Sequence, residues 1–114
     1  MPARLAPAQL GLERFPPGGA FVQFSTPYST SSRVSLNRLA AASAHCGGRV
    51  TVVELGGGAS QRLGMRATPM VLYVDADGIV QQRWSAPPER SELLALLAKD
   101  QEPVAAGSAA KSLA

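Results

Sequence analysis

Two short β-prone runs, Ala20–Ser25 (AFVQFS) and Arg49–Leu55 (RVTVVEL), are separated by a single stretch of helical period. That stretch, Arg33–His45, carries Leu36, Leu39, Ala40 and Ser43 at helical spacing and is stopped by Gly47-Gly48. A helix between two strands demands a parallel pair joined by a right-handed crossover, which leaves few topologies open. The polar segment ahead of the helix, Thr26 to Ser32, is rich in residue types that cap helix N-termini.

The second half of the chain adds a different connection. Thr68-Pro69 leads into an apolar run, Met70–Val74, and Asp75-Ala76-Asp77-Gly78 is a turn signal before a further β-like run, Ile79–Ser85. The two runs therefore form an antiparallel hairpin. Ala59–Leu63 is one or two helical turns closed by Gly64. Pro88 opens a last helix, Glu89–Lys99, whose Leu93, Leu94, Leu96 and Leu97 supply an apolar face. Trp84 is placed against that helix. The predicted order is β-α-β-α-β-β-α: an α/β fold with a four-stranded mixed sheet and helices on both faces. Residues 1–19 are expected to be an N-terminal arm with a short helical turn near Pro7–Leu12, residues 20–99 the domain, and 100–114 a disordered tail.

That order, with a proline opening the third strand, resembles the thioredoxin family. FVQFSTPYSTSSR (21–33) is similar to the family's strand, aromatic-bearing loop and Cys-x-x-Cys motif. LGMRATPMVLYVDADGIVQQR (63–83) is similar to its second signature, a small helix followed by a β-branched residue, cis-proline, strand, Asp-Gly turn and strand. The likeness spans about residues 20–99. It implies that Ser29 stands where the nucleophilic cysteine would be and Ser32 where the resolving one would be. Tyr28 stands for the usual tryptophan, Gln23 for a buried aspartate and Glu54 for a lysine, while Arg33, Thr68 and Pro69 keep the family pattern. The likeness also implies an edge for an extended peptide at Tyr28, Ser29, Thr68 and Pro69, with Pro69 cis.

Disulfide exchange needs one thiolate to attack and a second to resolve the mixed disulfide. The chain has one cysteine, Cys46, so no intrachain disulfide or multi-cysteine metal site exists. Serine hydroxyls cannot store electrons as an S–S bond. A serine nucleophile needs a neighbouring base, and the one histidine, His45, lies roughly 20 Å from Ser32 along the same helix at about 1.5 Å per residue. Ser31, Ser32 and Arg33 are a candidate anion site at the helix N-terminus; the competing reading is plain capping. Cys46 reads as a small packed hydrophobe, or else as a helix-end thiol open to mixed disulfides or dimerisation.

No cofactor is implied. Gly56-Gly57-Gly58 lacks the residues of a phosphate loop or dinucleotide fingerprint. A net charge of +3, scattered along the chain, gives no basic patch for nucleic acid. No apolar run approaches the ~20 residues of a membrane span, and the first nineteen residues lack a signal-peptide core. The expected location is cytoplasmic, or membrane-tethered where a longer N-terminus precedes. The abundance of alanine and of arginine over lysine points to a bacterial source. The expected function is a redox-inactive module binding a peptide or protein partner. The alternatives are thiol chemistry through Cys46 or beside an active relative, and a structural remnant without a ligand.

Overall fold

In a computed structural model of the protein, residues 4–26, 29–56, 58–65 and 69–101 are described. Four strands form one sheet: β1 (Ala20–Ser25), β2 (Thr51–Gly56), β3 (Val71–Val74) and β4 (Val80–Trp84), in the spatial order β2-β1-β3-β4. β1 and β2 are parallel, in register from Ala20 with Thr51 to Ser25 with Gly56. β1 and β3 are antiparallel, as are β3 and β4. The predicted mixed sheet is present, and the β1–β2 crossover is made by α1 (Thr30–His45).

Strand alternation sorts side chains into two cores. Phe21, Val71 and Tyr73 face α1 and α3 (Arg90–Gln101), packing with Leu39, Ala42, Leu93 and Leu97. Trp84 joins this layer as expected, its ring centroid 6.4 Å from that of Phe21. Val22, Phe24, Leu72 and Val74 face the other way. They meet α2 (Ala59–Arg62) and the residues after it through Ala59, Leu63 and Met65.

The N-terminal residues do more than lead into the domain. A short 3-10 turn at Pro7–Leu10 and the backbone around it place Leu5 and Leu10 in that second core, 2% and 4% exposed. Leu5 N–H donates to the Gly78 carbonyl at 2.7 Å, and Arg4 Nε donates to the Asp77 carbonyl at 3.1 Å. The contact requires glycine at 78, because a Cβ there would collide with the Leu5 carbonyl oxygen. Gly19 is equally constrained, with the Val74 carbonyl where its Cβ would stand.

Several boundaries differ from expectation for physical reasons. α1 begins at Thr30 because Ser29 caps it. Its buried stripe is Ser32, Ser35, Leu39 and Ala42, while Ala40 is exposed, so half of the stripe is serine. β2 begins at Thr51 because the Arg49 carbonyl accepts from Gly18 N–H and the Val50 carbonyl accepts from the Ser43 hydroxyl. Ile79 bridges Arg4, and β4 starts one residue later. α3 runs to Gln101, so the expected tail begins inside a helix, and residues 102–114 lie outside the described residues.

Candidate functional site

The strands β1 and β2 run side by side and end together at Ser25 and Gly56. A helix entering above such a pair puts its N-terminus over the carboxyl ends of the strands, where open sheets hold their ligands. Here the chain leaves β1 at Ser25 and enters α1 at Thr30.

Ser29 is the cap: its Oγ accepts from Ser32 N–H at 3.1 Å. Ser32, 6% exposed, faces the sheet, and its Oγ accepts from Thr26 N–H at 3.3 Å. Two hydroxyls one helical turn apart therefore serve the local backbone. The carboxamide of Gln23, fully buried on the α1 side of the sheet, donates through Nε2 to the Ser32 carbonyl at 2.7 Å. The same nitrogen donates to Ser25 Oγ at 2.9 Å, and Ser25 Oγ donates to Glu54 Oε2 at 2.6 Å. A polar chain thus runs from the first turn of α1 through β1 to β2. Gln23 Oε1 and Ser35 Oγ, both buried on this face, have no hydrogen-bond partner among the described residues.

Beside this chain lies a pocket of about 270 Å³ lined by Ser25, Thr26, Ser29, Ser32, Arg33, Leu36 and Glu54. Of the predicted site residues, Ser29, Ser32 and Arg33 come together here. Ser31 is exposed and takes no part in the lining. Glu54, noted in the sequence only as a replaced lysine, supplies the opposing carboxylate. Pro69 is buried on the other flank: Phe24 N–H donates to the Met70 carbonyl at 2.9 Å, and continuing that register sets Pro69 beside Ser25 on the β3 side of β1. Tyr28 and Thr68, and with Thr68 the isomer of the Thr68–Pro69 bond, lie outside the described residues.

Cys46 sits at the opposite end of α1 as its C-cap. It is half-buried against the α1–α3 core, with His45, Leu94, Leu97 and Ala98 around a small cavity. Among the described residues no group of three or more histidine, cysteine or carboxylate side chains is arranged to hold a metal ion, and no helix is long and apolar enough to cross a membrane.

No family model and no curated protein sequence matches this chain. A solved structure of thioredoxin-2, described as a component of the malaria parasite protein secretion machinery, superposes with a TM-score of 0.60. Identity is 10%, over 72% of this chain and 82% of that one. The fold is thioredoxin-like. The first turn of α1 in this chain is built around Ser29 and Ser32.

Proposed function

We propose that this chain is a non-catalytic thioredoxin-like module that binds a peptide or protein partner across the first turn of α1 and the Thr68-Pro69 segment. The observation that carries the reading is the pair Ser29 and Ser32. Both positions that the resemblance assigns to the redox sulfurs hold serine, both hydroxyls are engaged in holding the helix start, and the one thiol is at the helix's far end. A hydroxyl at a helix N-terminus has no bonded oxidised form to reach, whereas a thiol there is tuned toward the thiolate. The docking edge does not depend on sulfur. Backbone groups flanking a strand end can pair with an extended peptide, and main-chain hydrogen bonds give such docking its affinity. Met70 is already paired on both sides, its N–H with the Trp84 carbonyl and its carbonyl with Phe24 N–H. The groups left for a peptide are therefore those of the residues just ahead of it, the Thr68-Pro69 segment that the resemblance assigns to the edge.

The test has two measurements on the same protein. In a dithiothreitol-driven insulin-reduction assay, the chain is expected to show the buffer rate. Turnover that disappears in Cys46→Ser would overturn the reading in favour of thiol chemistry. In an NMR titration with S-alkylated insulin B chain as an extended-peptide probe, saturable shifts are expected at the amides of Ser29 and Met70, weakened in Thr68→Asp. Shifts absent at both positions, or identical in the variant, would count against the edge.

A further inference from the structure

The pocket over the β1–β2 end of the sheet carries one cation and one anion that do not meet. Arg33 and Glu54 both line it, yet among the described residues the ion pair formed is Arg38 with Glu89, on another face. Glu54 engages Ser25 through Oε2 alone, leaving Oε1 open. Ser29 and Ser32 accept hydrogen bonds from the backbone through their hydroxyl oxygens, while neither hydroxyl hydrogen has an acceptor among the described residues. Leu36, half-buried, supplies the apolar wall.

These features select by charge. A simple anion drawn to Arg33 meets the carboxylate of Glu54 in the same pocket, and a simple cation drawn to Glu54 meets the guanidinium. Like charges so placed disfavour each of them. A molecule bearing both charges a few ångströms apart turns the repulsion into a second attraction. The volume, about 270 Å³, is worth about nine water molecules at ~30 Å³ each, the scale of a small organic ligand.

We propose that this pocket binds a zwitterionic α-amino acid with an aliphatic side chain. The carboxylate lies toward Arg33 and the Ser29 and Ser32 hydroxyls, the ammonium toward Glu54 Oε1, and the side chain against Leu36. The site shares Ser29 with the proposed peptide edge but lies on the β2 flank of α1, whereas Pro69 is on the β3 flank, so the two are told apart by Glu54 on one side and Met70 on the other. Arg33 and Glu54 are both exposed, where an ion pair gains little, so the affinity is expected to be weaker than millimolar.

The experiment is an NMR titration of the full chain with leucine, N-acetyl-leucine and leucine amide. Leucine is expected to give saturable shifts at the amides of Thr26, Ser32 and Glu54. N-acetyl-leucine, which lacks the ammonium, and leucine amide, which lacks the carboxylate, are expected to bind up to about fivefold more weakly. Glu54→Gln should abolish the preference over N-acetyl-leucine, and Arg33→Gln the preference over leucine amide. Equal binding of all three ligands, or no saturable shift at these residues, would overturn the proposal. Leucine shifts retained while the B-chain peptide gives none would sink the peptide edge alone, and the reverse would sink this site alone.

Discussion

Gln23 and Ser32 are joined at 2.7 Å, the buried carboxamide of β1 donating to a carbonyl in the first turn of α1. That bond fixes which way the amide points. Reversing it would set two oxygens against each other, so Oε1 is left buried without a partner among the described residues. The start of the helix is therefore anchored to the sheet by a group that is itself only partly satisfied. An unpaired buried acceptor carries a cost of about 1–3 kcal/mol.

Gln23→Ala removes the anchor and leaves a cavity, and is expected to lower unfolding stability by about 2 kcal/mol or more. Gln23→Met keeps the volume and removes the unpaired oxygen along with the donor, so its cost should be distinctly smaller. Urea unfolding followed by circular dichroism measures the difference. Equal losses would show that the lost hydrogen bond to the Ser32 carbonyl, and not the packing volume, sets the cost.

Ser29 holds the end of α1 by a single cap bond. Ser29→Ala should cost about 1 kcal/mol, the usual value for losing an N-cap, and Ser29→Asp should restore most of it. Thermal unfolding of the two variants is the check.

Ser29→Cys combined with Ser32→Cys places two thiols one turn apart at a helix N-terminus, where a thiolate is favoured. The double variant is expected to gain dithiothreitol-driven insulin reduction clearly above the parent rate, and neither single variant should. A folded double variant with no gain would mean that the sheet face behind the turn, with Gln23 and Glu54, no longer supports exchange.

Asp75 sits in the β3–β4 turn. Burial pushes its carboxyl upward, but hydrogen bonds from Gln81, Ile79 and Asp77, aided by the positive charge of Arg4, outweigh that effect and hold it below the ordinary aspartate value. A carboxyl depressed in the folded state adds stability above its unfolded value, and this is lost as pH falls through the folded value. The parent chain should therefore lose stability on acidification below about pH 4. Asp75→Asn should lose less over the same range while being less stable at pH 7. Melting temperatures measured from pH 7 to pH 3 test both parts.

Leu10 is 4% exposed in the core beneath the sheet. Leu10→Ala is expected to cost about 2–5 kcal/mol, the range for a buried leucine. Chemical denaturation would place the residue outside the core if the loss were negligible.

The strands and the hairpin were legible because each carries a local signal: β-branched and aromatic runs, a turn of Asp and Gly, and a glycine pair after a helix. The buried stripe of α1 was less legible, since Ser32 and Ser35 occupy core positions that hydrophobicity would give to Leu36 or Ala40. Nothing local announces Leu5 and Leu10 as core, because prolines and polar residues interrupt any period around them. Ser29, Ser32 and Arg33 stand together as neighbours in sequence, which is why they could be singled out. Glu54 reaches the same pocket only through the parallel register that brings it to Ser25 from 29 residues away. No spacing rule along the chain carries that pairing.

The strap formed by Arg4 and Leu5 over the β3–β4 turn also orders events in time. It leaves the ribosome ahead of every strand, yet the carbonyl that receives Arg4 belongs to Asp77, made 73 residues later. Closing so long a loop is entropically slow to repay. During synthesis Arg4 and Leu5 therefore lack their acceptors, the Asp77 and Gly78 carbonyls, until the β3–β4 turn has been made.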